Sequence, residues 1–367
     1  MWGNRLMDEV RVELGKRTYP IYIGHNLVSR AGEILKKNGA SGRIMIITSH
    51  AVATHYLDDM TNGLKHGGFH VACSEVPDGE QHKTLEWASK LYDSLIDNRI
   101  ERTSTILALG GGVVGDLAGF VAATYKRGVP LVQIPTTLLA QVDASVGGKV
   151  GVDHPRGKNM IGSFYQPRCV IISLDVLSTL PEREMIAGLA EVIKYGVIRD
   201  RDLFSYLEGN IDSIVGGDPG ALQFIVKRSC HIKASVVTLD ERETELRTIL
   251  NFGHTFGHAI EVATDYEQYR HGEAVAIGMV CAGDVAVRLR MTEESTLERI
   301  ITLLDRTGLP TCTEGVSPER VMRVLRHDKK VHAGKIRFVL PREIGEVVIT
   351  DTVSEELIRE IVEERLV

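Results

Sequence analysis

Four short apolar runs in the first half of the chain constrain its fold more than any other feature. Residues 44–48, 104–109, 131–134 and 169–174 are apolar almost throughout and bounded by turn or polar residues. Such runs are too short for helices of their own and suit strands covered on both faces. Residues 70–76 read as another strand. Residues 83–99 have helical spacing, with Leu85, Ala88, Leu91, Leu95 and Ile96 on one side. Strands alternating with helical segments predict a parallel sheet covered by helices. Ahead of them, residues 10–14 and 19–23 flank Gly15 and Lys16 in the pattern of a hairpin.

The pattern changes near residue 178. After Thr179-Leu180-Pro181 it is helical almost throughout, with candidates at 181–198, 221–241, 250–264, 273–290, 293–307 and 318–327. A short β-like pair, 336–340 and 347–349, precedes a last helix at 354–365. The expectation is an α/β domain over residues 1–178, a mainly helical domain over residues 179–367, and a cleft between them. A length of 367 residues points the same way.

Composition serves mainly to exclude. A formal net charge of −6 speaks against a nucleic-acid partner and leaves room for a local basic pocket. Cys73, Cys169, Cys230, Cys281 and Cys312 are odd in number and scattered, which argues against a disulfide framework and fits a reducing compartment. The first nine residues mix both charge signs without an apolar run, so no signal peptide is read there. The apolar stretch from Ala274 onward is broken by Asp284 and reads as a buried core helix, not a membrane span. A cytoplasmic enzyme is expected.

Four groups of residues could carry chemistry. Gly110-Gly111-Gly112-Val113-Val114-Gly115-Asp116 follows the strand at 104–109, with Gly110, Gly112 and Gly115 in the spacing G-x-G-x-x-G. Glycines let backbone N–H groups approach a phosphate, and a helix start favours an anion. The acidic residue expected about 20 positions later is missing, so the run is either a phosphate or dinucleotide cradle or a tight strand–helix turn. Residues 135–149 bring together Thr136, Thr137, Asp143, Ser145, two glycines and Lys149, and are followed by Lys158 and Asn159. They read as a phosphate-binding stretch using lysine point charges, or as a solvated loop. His254 and His258 stand four apart and share a helix face. With Glu191 on another helix and His271 at a helix start, they could hold Zn2+ with positions left open. From spacing alone the obvious ligand pair is His254 and His258, although such pairs are often structural. The absence of H-E-x-x-H disfavours a zinc protease. Finally, Lys194, Lys233, Arg247, Lys329 and Lys330 are either solubilising charges or, clustered at a metal, a grip for a carboxylate and a phosphate.

Together these segments resemble the 3-dehydroquinate synthase family of sugar-phosphate cyclases. The matching pieces are residues 77–83, 110–116, 135–153, 158–159, 188–195, 240–247, 251–258, 271–273 and 328–330, in the family's order over nearly the whole chain. The resemblance implies a Rossmann-like α/β NAD-binding domain, an all-α metal-binding domain and a homodimer. It also revises the metal reading: the implied ligands of Zn2+ or Co2+ are Glu191, His254 and His271, with His258 turned to the substrate phosphate. NAD is implied to lie across Gly111, Gly112 and Val113. Glu80 and Lys83 would lie at its adenosine ribose, with Asp116, Thr136, Thr137, Asp143, Lys149 and Lys158 lining the rest and Thr179 and Leu180 nearby. Ser49 and Ala51 stand where the family usually has an Asp and an Asn. Lys149, Asn159, Lys194, Asn251, His258 and Lys329 or Lys330 are implied to face the reacting ring and its phosphate, Asp143 the substrate, and Lys233 and Arg247 its carboxylate. Arg127 would reach the phosphate from a second subunit.

The implied reaction converts an anionic sugar-acid phosphate, 3-deoxy-D-arabino-heptulosonate 7-phosphate, to 3-dehydroquinate. Competing readings are another sugar-phosphate cyclase, a metal-dependent polyol dehydrogenase, or a non-enzymatic polyanion-binding regulator. The second lacks a use for Lys149 and Lys158, and the third lacks a use for three intact metal ligands.

Overall fold

The computed structural model describes residues 7–327, 331–332 and 335–366. It divides into two compact units, Met1–Leu180 with Lys233–Thr238, and Pro181–Ile232 with Leu239–Val367.

The first unit is built on β1 (Met7–Val12), β2 (Tyr19–Gly24), β3 (Arg43–Ser49), β4 (His70–Val76), β5 (Thr105–Gly110), β6 (Leu131–Pro135), β7 (Lys149–His154), β8 (Gly157–Phe164) and β9 (Cys169–Ser173). Its helices are α1 (Ala31–Lys37), α2 (His50–His66), α3 (Leu85–Asp97) and α4 (Gly112–Thr124). Seven strands form one sheet in the order β1-β2-β9-β6-β5-β3-β4. Only the β1–β2 hairpin is antiparallel; every other pair in that sheet is parallel.

The continuous apolar runs follow from this arrangement. Ile44 and Ile46 of β3 pack with Leu107 and Leu109 of β5 against Ile34 and Leu35 of α1 and Met60 and Leu64 of α2. Met45 and Ile47 point the opposite way, to Leu91 and Leu95 of α3 and Leu117 and Val121 of α4. A strand buried on both faces has no polar side, so alternation disappears from its sequence.

Three sequence expectations shift. The helix expected from residue 83 begins at Leu85, because the Thr84 hydroxyl caps it by accepting the Trp87 N–H. Lys83 therefore lies before the helix. Leu85 and Ile96 do not join the buried face of α3; they are 48% and 61% exposed. Lys149, Lys158 and Asn159, read with a phosphate-binding stretch or loop, instead lie on the antiparallel β7–β8 hairpin.

The second unit contains α5 (Glu182–Arg199), α6 (Arg201–Val215), α7 (Pro219–Leu239), α8 (His254–Ala263), α9 (His271–Arg288), α10 (Glu294–Thr307), α11 (Pro318–His327) and α12 (Glu355–Arg365). The Lys233–Thr238 stretch of α7 groups with the first unit. A hairpin of Phe338–Glu343 and Glu346–Thr350 supplies the expected β pair. The helix expected over 250–264 is broken: Leu246–Asn251 form a 3-10 turn, and Gly253 takes a left-handed φ of 77° before α8 begins. Among the described residues, no helix is long and apolar enough to cross a membrane.

Candidate active site

In the first unit, β3 leads through α2 outward to β4, whereas β5 leads the other way to β6. The strand order thus reverses between β3 and β5, and ligands of open α/β sheets bind outside the carboxyl ends of strands at such a point. Those ends are Ser49 and Gly110. Gly110 leads directly into the turn at Gly111 and the first residue of α4, Gly112.

The three spaced glycines serve different ends. A Cβ on Gly110 would lie 2.7 Å from the Val114 Cβ, and one on Gly115 would lie 2.9 Å from the Gln133 Oε1. Packing within the protein explains both. A Cβ on Gly112 would meet only an ordinary contact, 3.6 Å from the Ala144 Cβ. Its bareness is unexplained by the protein's own packing and suits close approach of a ligand to the helix N-terminus.

A charged cluster lies on the same unit. Lys83, only 3% exposed, places its Nζ 3.1 Å from Glu80, 3.1 Å from Asp116, 3.9 Å from Asp153 and 2.7 Å from the Asn159 Oδ1. Lys158 adds a second cation 3.7 Å from Glu80. Burial pushes Asp116 up to about 6 despite the Lys83 ammonium beside it. Burial also opposes the charge on Lys83, but Asp116, Glu80 and Asp153 outweigh it and raise its pKa. Asp153 orders the hairpin side of the cluster: its Oδ1 accepts the Asn159 N–H at 2.7 Å, and Asn159 has a positive φ of 54°. Neither the depth of Lys83 nor the part of Asp153 was readable from spacing.

The remaining expected residues of this unit fall as follows. The Thr136 N–H donates to the Gly110 carbonyl, and the Thr137 hydroxyl accepts the Ala140 N–H. Asp143 lies in a π-helical turn, Ala140–Ala144, where Lys233 donates to its Oδ1 at 2.7 Å and to its carbonyl. Lys149 opens β7 with an exposed side chain. Arg127 follows α4 at φ 64°. The Thr179 hydroxyl pairs with the Tyr56 hydroxyl, and the Leu180 N–H donates to the Leu177 carbonyl. Ser49 is buried, and the Ala51 N–H donates to Asp78 at 3.1 Å, so a carboxylate from the loop after β4 stands at the start of α2.

In the second unit, Glu191, His254 and His271 converge: ligand atoms from all three lie within 4.8 Å of one another. Glu191 Oε1 is 3.6 Å from His254 Nε2 and 4.0 Å from His271 Nε2. The opposite ring nitrogens face acceptors. His254 Nδ1 is 3.1 Å from the Phe252 carbonyl, and His271 Nδ1 is 3.4 Å from each Glu261 oxygen. An imidazole that donates through Nδ1 keeps its Nε2 lone pair for a metal. Glu191 is 0% exposed and neither of its oxygens accepts a hydrogen bond among the described residues; its charge partners are Lys194 and the two histidines. One buried carboxylate facing two imidazole Nε2 atoms is a nitrogen-and-oxygen donor set that fits a divalent ion. Burial lowers the His271 pKa, but Glu261 and then Glu191 outweigh it, leaving it raised.

His258 shares the α8 face with His254, with ring centroids 5.4 Å apart, but groups with Glu261 and His271 instead of Glu191. The ligand pair that spacing favoured, His254 with His258, is thus not the one that meets Glu191.

Backbone contact brings these side chains together. A Cβ on Gly272 would overlap the Ala187 carbonyl of α5, and one on Gly278 would overlap the Gly253 carbonyl ahead of α8. Arg183 pins the start of α9 through two bonds to Glu273, at 2.6 and 2.7 Å. Beside this set, Arg247 is 2% exposed; its N–H donates to Asp240 at 3.0 Å and its Nη1 to the Glu241 carbonyl at 2.6 Å. Burial raises the Asp240 pKa, yet the N–H groups of Thr244, Arg247 and Glu245 win and hold it down at about 2. Asn251 Nδ2 donates to Glu243 at 2.6 Å. Lys329 and Lys330 lie outside the described residues.

Comparison with known proteins agrees across the chain. The family model described as 3-dehydroquinate synthase N-terminal matches residues 73–187, and that described as 3-dehydroquinate synthase C-terminal matches residues 188–331. A 3-dehydroquinate synthase of Desulforamulus reducens is 52% identical over 95% of this chain and 98% of its own length. A solved 2-epi-5-epi-valiolone synthase of Streptomyces hygroscopicus, with NAD+ and Zn2+ bound, is 28% identical with a TM-score of 0.88, covering 96% of this chain and 98% of that one. A 2-deoxy-scyllo-inosose synthase complexed with carbaglucose-6-phosphate, NAD+ and Co2+ is 27% identical with a TM-score of 0.89, covering 98% of this chain and 100% of that one.

Proposed function

The chain belongs to the 3-dehydroquinate synthase family, and from that premise we propose that it converts 3-deoxy-D-arabino-heptulosonate 7-phosphate to 3-dehydroquinate and phosphate. It uses NAD, which it regenerates in each turnover, and a divalent metal, Zn2+ or Co2+. The observation that carries this reading is the buried Glu191 with two histidines aimed at it, in a chain that also holds a glycine cradle at a sheet switch point. It acts as a carbon–oxygen lyase, in the cytoplasm, as a homodimer.

The metal ligands are Glu191, His254 and His271. Gly111, Gly112 and Val113 receive the NAD pyrophosphate on the N-terminus of α4, and Glu80, Lys83, Asp116, Thr136, Thr137, Asp143, Lys149, Lys158, Thr179 and Leu180 line the cofactor. When bound, NAD takes up and returns a hydride and the metal acts as a Lewis acid toward two vicinal oxygens. Oxidation at C5 acidifies the C6 proton, phosphate leaves by β-elimination, C5 is reduced again, the ring opens and an intramolecular aldol closes the carbocycle. A phosphate oxygen of the substrate takes the C6 proton, so no protein base is required.

The chain's own part is binding and orientation. Lys194, buried beside Glu191, offers a fixed ammonium to the reacting oxygens. Asn251 is held by Glu243 for the ring hydroxyls. His258, Lys149 and Asn159 address the phosphate and ring, as do Lys329 and Lys330, and Arg127 reaches the phosphate across the subunit boundary. Lys233 and Asp143 bind substrate as a bonded pair. Arg247 has one guanidinium nitrogen committed to the Glu241 carbonyl, which orients its planar fork toward a carboxylate.

The test is phosphate release from purified protein given the heptulosonate phosphate, catalytic NAD and Zn2+, with and without a chelator, with the organic product identified. Chelator-sensitive release yielding dehydroquinate without accumulating NADH is expected. Release only from sugar phosphates lacking the carboxylate would move the assignment to another cyclase, and net NADH from polyols would move it to a dehydrogenase.

A further inference from the structure

We propose that Glu261 is a positioning residue for the metal: it fixes the tautomer and the aim of the His271 ring and so sets the affinity of the site. The inference rests on Glu191, His254 and His271 being the metal ligands.

The geometry points to it in three ways. First, Glu261 lies seven residues after His254 and three after His258 on α8, so all three share one helix face. Second, Glu261 is buried, which is costly for a carboxylate unless a partner repays it. Both of its oxygens sit 3.4 Å from His271 Nδ1. Third, the other nitrogen of the same ring, Nε2, is the one that faces Glu191. Glu261 is thus placed behind the ring, opposite the metal ligands. His271 is the first residue of α9, where no preceding helical turn restrains its side chain. His254 differs: its Nδ1 is held by a backbone carbonyl, which no substitution of a side chain removes. His271 is the imidazole whose Nδ1 faces a side-chain carboxylate.

The Nδ1–H donates to the Glu261 carboxylate, the Nε2 lone pair is left for the ion, and the nearby negative charge strengthens that lone pair as a donor. Removing such an outer partner typically weakens metal affinity by about 10–100-fold.

The experiment measures Zn2+ and Co2+ affinity by chelator competition, the visible absorption of the Co2+ form, and the melting temperature of the metal-free protein. It compares wild type, Glu261→Ala, Glu261→Gln and Glu191→Ala. Expected is a 10–100-fold loss of affinity in Glu261→Ala with an altered Co2+ spectrum, a smaller loss in Glu261→Gln because its amide oxygen still accepts from Nδ1, and no matching fall in metal-free melting temperature. If Glu261→Ala does not fold, the Glu261→Gln loss carries the test. Wild-type affinity and spectrum in the Glu261 variants, with Glu191→Ala losing the metal, overturns this role alone. Wild-type affinity in Glu191→Ala as well overturns the ligand assignment beneath it.

Discussion

The two units prepare their sites by different means. In the α/β unit the proposed pyrophosphate cradle is backbone: a strand end, a bare glycine and the N-terminus of α4. In the helical unit the proposed metal site is made of side chains from α5, α8 and α9, two of them buried and His271 half-buried, aimed by helices whose backbones touch at glycines. That cradle is contained within residues 110–113 of the chain. The metal site is assembled from residues up to 80 positions apart, since 271 − 191 = 80, and depends on the packing that joins them. Recognition of a common cofactor suits the former, and placement of one ion among fixed ligands suits the latter.

The contrast is broken most forcefully at Glu191. Replacing it with alanine should lower turnover on the order of 10³-fold or more, since several kcal/mol of transition-state stabilisation go with the ion. Metal analysis of the purified variant should show the ion lost with the fold kept; a stoichiometrically loaded, active Glu191→Ala protein would remove Glu191 from the ligand set.

A paired glycine substitution sharpens the same contrast. Gly278→Ala forces a methyl into the Gly253 carbonyl and should cost roughly 3 kcal/mol by overpacking, read as a drop in melting temperature and metal affinity together. Gly112→Ala has room within the protein, so it should leave the melting temperature of the ligand-free protein nearly unchanged and weaken NAD binding. Equal destabilisation by both would erase the difference between the two glycines.

The smallest effects are in pH dependence, where the two units should differ in sign. Asp116 rises from 3.8 to about 6, so its contribution to stability is full below about 3.8 and is lost as pH rises through about 6. Asp240 falls from 3.8 to about 2, so its contribution is present above 3.8 and is lost as pH falls through about 2. In urea midpoints of the cofactor-free protein between pH 2 and 7, Asp116→Asn should flatten the fall between pH 4 and 6. Asp240→Asn should flatten the fall below pH 4. The same slopes in variant and wild type would discount either carboxylate.

The sequence displayed the sheet well because burial on both faces leaves a plain mark: residues 70–76 were read with the bounds that the structure has. The β7–β8 hairpin was hidden because its strands carry glycines, charges and hydroxyls, and β8 is mostly exposed with no buried residue. The single helix expected over 250–264 ran through Asn251-Phe252-Gly253, since one left-handed glycine breaks a helix without changing hydrophobic periodicity. At the site, the i,i+4 pair His254 and His258 was visible, but which of them meets Glu191 depends on the crossing of α5, α8 and α9, which no local spacing encodes. Family resemblance supplied that choice, and the glycines that set the crossing look in sequence like any other small residues. Glu261 carried a faint signal, three residues beyond His258 on the same face.

The contact of Gly278 with the backbone at Gly253 has a further consequence. Ligands hung from helices that already touch cannot spread to suit a larger guest. On the proposed assignment, the pocket offers two imidazole nitrogens and one carboxylate at a spacing the helices hold. Zn2+ and Co2+ would be held alike, whereas Ca2+, which needs six to eight oxygen ligands at about 2.3–2.6 Å, would find too few oxygens and no slack in the helices to gather more.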